Sequence, residues 1–188
     1  MILISNPDKS QWQEILKRPV MNTENLFDTV RSVIDRVKEE GDRAVLDYEE
    51  KFDKVVLASL AVSEEEQQEA ENLVSEDLKA AIRLAKQNIE TFHAAQRFEG
   101  KKVQTQPGVT CWQKAVAIEK VGLYIPGGTA PLFSTVLMLA VPARIAGCKE
   151  IVLCTPPGRD GKVNPSTLVA AKEAGADEVY KAGGAQAV

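Results

Sequence analysis

Apolar positions recur at helical spacing through the first hundred residues, and the rhythm then changes. Leu26, Phe27, Val30, Val33, Ile34 and Val37 fall on one face of a helix that Asn22 or Thr23 can cap and Gly41 can stop. Asp42 can cap a further short helix carrying Val45, Tyr48 and Phe52. Lys54-Val55-Val56-Leu57 is apolar and β-branched, which predicts a strand or an extended crossing. Ser63-Glu64-Glu65-Glu66 has the spacing of a capping box, with acids in the first turn where the helix dipole favours them. Beyond Ser75 the stripe Leu78, Ile82, Ala85, Ile89, Phe92 predicts the longest helix, with Gly100 as its end. The acid runs Glu49-Glu50 and Glu64-Glu65-Glu66 read as solvated helix faces.

From Lys101 to Lys120 the alternation turns β-like. Val103, Thr105, Val109, Cys111, Trp112, Val116 and Ile118 flank the turn Gln106-Pro107-Gly108, predicting a hairpin or two antiparallel strands that link the halves. The remaining residues hold three short apolar runs, Val121–Ile125, Ile151–Thr155 and Glu178–Lys181. Two helical segments separate them. Ser134 to Ala146 is stopped by Gly147, and a second segment opens on Asn164-Pro165 and closes at Gly175. Pro142 inside the first should bend it. Continuous apolar strands imply a parallel sheet covered on both faces. The division is therefore 1–100, mainly helical; 101–120, a β linker; and 121–188, an incomplete Rossmann-like βαβαβ part of an α/β fold. A sheet of three such strands should leave an unpaired edge at its C-terminal side, which invites association there.

In parallel sheets ligands bind beyond the carboxyl ends of the strands. Three loops lie there: Pro126–Pro131, Pro156–Gly161 and Ala182–Ala185. Their paired glycines allow close backbone approach and the following helices favour anions, but no G-x-G-x-x-G or P-loop spacing occurs. Nucleotide binding and ordinary tight turns both stay open on spacing alone. The nucleophile candidates are thin. Ser134 has no evident base, and Cys154 at a strand end has the surroundings of an inert buried thiol.

Composition narrows the classes. The 188 residues are 44% hydrophobic and 27% charged, with a net charge of −4, which argues against a nucleic-acid-coating protein. No apolar run reaches the roughly 18 residues of a membrane span, and the start lacks the features of a signal peptide, so a cytoplasmic protein is expected. Three cysteines without a C-x-x-C pattern argue against a disulfide framework. A single histidine, His93, makes a zinc site built wholly from this chain a poor fit, and a bland partly buried histidine a better one.

One run is far more specific than these patterns. Val121-Gly122-Leu123-Tyr124-Ile125-Pro126-Gly127-Gly128-Thr129-Ala130-Pro131-Leu132-Phe133-Ser134 resembles the histidinol dehydrogenase family. Pro142-Ala143-Arg144-Ile145-Ala146-Gly147-Cys148 and Gly183-Gly184-Ala185-Gln186-Ala187 continue the resemblance in order, as do Glu39–Asp42 and Phe92–Gln96 in the helical half. The resemblance implies a zinc-dependent homodimer with paired incomplete Rossmann-like domains, similar to the aldehyde-dehydrogenase-like fold. It further implies oxidation of L-histidinol to L-histidine through L-histidinaldehyde, with two NAD. Carried over by motif, Tyr124 and Gln186 are the NAD contacts. The Glu-His catalytic pair and the zinc ligands match nothing in this sequence and are expected beyond residue 188. The expectation is then an N-terminal portion that is inactive alone. Two other classes stay open: an enzyme completed by a second polypeptide, and a non-catalytic ligand- or partner-binding module.

Overall fold

A computed structural model describes residues 3–18, 24–127 and 131–188. The expected caps Asn22 and Thr23 and the loop residues Gly128, Thr129 and Ala130 lie outside the described residues. The chain opens with a short 3₁₀ turn (Lys9–Gln11) and helix α1 (Trp12–Ile15), followed by α2 (Glu24–Glu40) and α3 (Asp42–Tyr48). Gly41, with φ of 60°, caps α3, so Asp42 is its first residue and not its cap. A π-helical turn, Glu49–Asp53, extends α3 and ends at Lys54 in the left-handed region. That reversal turns Lys54–Leu57 into an extended crossing with no strand partner, and only Val55 among them is buried.

Helices α4 (Glu64–Leu73) and α5 (Glu76–Ala94) follow, each capped by a serine whose Oγ accepts a backbone N–H, Ser63 from Glu66 and Ser75 from Leu78. Helix α5 stops at Ala94, six residues before the expected Gly100. The linker is a hairpin of β1 (Val103–Gln106) and β2 (Val109–Cys111), turning at Gly108 with φ of 81°. Trp112 to Ile118 carry no further strand, and every residue of the hairpin is exposed.

The α/β part runs β3 (Lys120–Tyr124), α6 (Phe133–Ala146), β4 (Glu150–Thr155), α7 (Pro165–Ala174) and β5 (Glu178–Lys181). Its boundaries fall where the sequence signals put them. Gly147 and Gly175 end the helices in the left-handed conformation, and Asn164 Oδ1 caps α7 by accepting from Ser166 N, ahead of Pro165. The three strands are parallel in the order β3-β4-β5, with Tyr124 opposite Cys154 and Cys154 opposite Tyr180.

Burial along β4 alternates, with Ile151, Leu153 and Thr155 sealed and Val152 and Cys154 half-exposed. The helices thus cover one face of the sheet, and the expectation of two covered faces fails for the described residues. Helices α6 and α7 pack together, and α5 packs on both, so that these two helices form a middle layer. This explains why their sequences are apolar nearly all round. Ile82 of α5, Val136, Leu137 and Val141 of α6, and Val169 of α7 meet Ile151 and Leu153 in one core. Each such side chain contributes roughly 1.5–3 kcal/mol on burial.

The edge of β5 is not bare. Residues 60–62 cross it antiparallel, Val62 N donating to Val179 O at 2.9 Å and Lys181 N to Leu60 O at 2.7 Å. The expected open C-terminal edge is therefore covered, because the extended crossing after Lys54 reaches it.

Candidate functional site

The carboxyl ends of the three strands open on a groove of about 790 Å³ lined by Tyr124, Gly127, Pro156, Asn164 and Gly184, with Asp53 and Leu132 at its margins. Two glycines close on Pro156. A Cβ on Gly127 would lie 2.4 Å from Pro156 Cγ, and one on Gly183 would lie 2.8 Å from Pro156 Cβ. These glycines let the loops after β3 and β5 close on the loop after β4, so their close approach is to protein and not to a ligand.

The loop after β5 is tied on two sides. Tyr124, the last residue of β3, accepts at Oη from Gly184 N at 3.1 Å. Glu49, the first residue of the π turn, accepts at Oε1 from Gly183 N at 2.9 Å and from Gln186 Nε2 at 3.0 Å. Gln186 sits in a final 3₁₀ turn (Ala185–Ala187), is buried, and lays its amide across Gly184. The two residues singled out in the sequence are thus brought into one hydrogen-bonded unit, Tyr124 on the groove and Gln186 just behind Gly184.

Glu49 was misread as solvated. It is fully buried, and its Oε2 has no hydrogen-bond partner. Burial pushes its carboxyl above the usual range, and neighbouring Asp53 adds to this, against the two N–H groups that favour the anion. The signal was available: Glu49 stands four residues after Val45, on the stripe with Ala44 and Tyr48 that α3 buries.

Two acids that line the groove are ion-paired. Glu66, expected on a solvated face, instead accepts from Val163 N and forms a nearly buried ion pair with Lys181 at 2.5 Å, in place of the reciprocal half of the expected capping box. Glu69 pairs with Lys162 at 2.6 Å. Cys154 faces the less covered side of the sheet, and burial raises its thiol pKa, which opposes a nucleophilic thiolate. Ser134 is exposed in the first turn of α6, and His93 is half-buried at the end of α5 against Phe92. Neither lines the groove. Among the described residues, no three His, Cys, Asp or Glu side chains are grouped so as to hold a metal ion.

Comparison with known proteins gives this arrangement a family. The family model described as histidinol dehydrogenase matches residues 16–188. A histidinol dehydrogenase of Bacteroides fragilis is 71% identical over 188 residues, all of this chain and 44% of that protein. One of Shigella dysenteriae is 49% identical over 179 residues, 95% of this chain and 40% of that protein. The crystal structure of histidinol dehydrogenase from Elizabethkingia anophelis superposes with a TM-score of 0.92 at 48% identity, covering 97% of this chain and 42% of that one. The chain thus spans less than half the length of the relatives it matches, and it belongs to the histidinol dehydrogenase family.

Proposed function

We propose that this chain is the dinucleotide-binding N-terminal portion of a cytoplasmic enzyme that oxidises L-histidinol to L-histidine through L-histidinaldehyde. NAD, when bound, supplies the hydride acceptor. The observation that carries this reading is the hydrogen-bonded loop at the carboxyl edge of the sheet, where Tyr124 holds Gly184 and Glu49 holds Gly183 and Gln186. Tyr124 lines the groove and can offer a ring face and a hydroxyl, and the Gln186 amide spends its Nε2 on Glu49, which leaves Oε1 to accept. The first turn of α6 has no side-chain cap among the described residues and no acid, so this helix start suits a phosphate. Loss of one neutral hydrogen bond costs about 0.5–1.5 kcal/mol. Gln186→Ala is therefore expected to weaken NAD binding by roughly threefold to tenfold, read by calorimetric titration. Unchanged affinity with a lowered melting temperature would remove Gln186 from the site.

Among the described residues no donor cluster fits zinc. No step is derived through it, and no residue here is assigned to the hydride or hydrolysis chemistry. The 188 residues alone are expected to form no NADH from histidinol, with or without added zinc.

Self-association, as a homodimer, is part of the proposal. Leu26, Phe27, Val30 and Ile34 leave the apolar face of α2 exposed, and Trp112, Val116 and Ile118 expose a second apolar stretch after the hairpin. Sedimentation velocity should show a dimer or larger species, and a monodisperse monomer at high concentration would refute this.

A further inference from the structure

A carboxylic acid with no solvent exposure and one unpartnered oxygen is costly unless it holds something in place. Glu49 sits on a π-helical turn, a rare local geometry often found beside functional sites. Its Oε1 collects two donors from the loop after β5, the backbone of Gly183 and the side-chain amide of Gln186. An oxygen already accepting from Gly183 N repels a second acceptor, so the Gln186 amide must present its NH₂ to Glu49. That leaves the amide oxygen beside Gly184 and not on Glu49.

We infer that Glu49 is a positioning residue that fixes the Gln186 amide so that only its carbonyl oxygen is offered to the ligand, which selects a hydrogen-bond donor such as a ribose hydroxyl or a carboxamide N–H. This rests on the reading that Gln186 meets NAD. Neither phosphate nor carboxylate oxygens can satisfy that group, so the anionic part of a dinucleotide must lie elsewhere in the groove.

The test compares Glu49→Leu, which keeps most of the volume and removes the acceptor, with Glu49→Gln, which can place its own carbonyl oxygen at the same point. Two readouts are needed on the 188-residue chain: amide exchange of Gly183 with the Gln186 side-chain NH₂ signals by NMR, and NAD affinity by calorimetry. Glu49→Leu is expected to speed Gly183 exchange by about tenfold, release the Gln186 NH₂, and weaken NAD by the same threefold to tenfold as Gln186→Ala. The Glu49→Leu/Gln186→Ala double variant should bind no more weakly than either single one. Glu49→Gln should restore both readouts to within about twofold of the parent chain. Equal behaviour of the Leu and Gln variants, or additive losses in the double variant, would overturn the inference. If the parent chain takes up no NAD, the dinucleotide reading falls. The exchange measurement still decides whether Glu49 holds the loop.

Discussion

Replacing Gly184 by alanine tests the geometry of the loop after β5 most directly. Its φ of 55° and ψ of −158° lie in a region nearly reserved for glycine, where a side chain costs about 1–3 kcal/mol. The new Cβ would stand 2.7 Å from Gln186 Oε1, too close for any contact, so the amide must swing away. Swinging it breaks the bond to Glu49, worth about 0.5–1.5 kcal/mol. Together these predict a loss of about 1.5–4.5 kcal/mol. For a domain of this size, each kcal/mol shifts the midpoint by roughly 2–4 °C, so melting should fall by about 3–18 °C. Gly122→Ala is the control, because a Cβ there meets nothing within 4 Å and no left-handed backbone is involved. Thermal unfolding followed by circular dichroism on both variants gives the comparison. Melting of Gly184→Ala within about 2 °C of Gly122→Ala would refute the account of the loop.

Lys181→Met should cost about 2–4 kcal/mol in urea unfolding, since it strands the Glu66 carboxylate in a nearly buried place; adding Glu66→Gln should recover part of that loss. The raised carboxyl of Glu49 means the folded chain holds its proton to higher pH than the unfolded one. Its contribution therefore erodes stability as pH rises from about 4.5, and the gain of Glu49→Gln over the parent should grow across that window. A pH-independent difference would contradict a buried, proton-retaining acid. At the acid end, Asp177, held below the usual carboxylate range chiefly by Arg144, should release its stabilisation only as pH falls below about 3.8. Asp177→Asn should flatten that acid limb of a pH-resolved denaturation series.

Where local chemistry decided the structure, the sequence was readable. Gly147, Gly175 and Asn164-Pro165 are backbone devices whose meaning does not depend on distant neighbours, and α6 ends, and α7 begins and ends, at them within a residue. Tyr124 and Gln186 stood out through long motifs, and the fold brings them to one loop. The misses share a tertiary cause. The stripe of Ala44, Val45 and Tyr48 marks Glu49 for burial, but what it anchors, Gly183, lies 134 positions later. Lys54–Leu57 had strand composition, yet its neighbours run past it and pairing begins only at residue 60. Helix α5 ends short of Gly100, with Phe92 of its last turn left exposed.

The antiparallel crossing of residues 60–62 over β5 has a kinetic side. Val62 and Val179 are 117 positions apart, so joining them closes a long loop at an entropic cost of about 4 kcal/mol before any contact is rewarded. At roughly 5–20 residues per second, a ribosome needs about 6–25 s to deliver β5 after residue 62 has been made. Throughout that interval the segment is an orphan, extended and unpaired, in a chain whose helices α4 and α5 can already form from nearby residues. The seal on the sheet is thus made last, and a nascent chain stays open to strand exchange with a neighbour until Lys181 has left the exit tunnel.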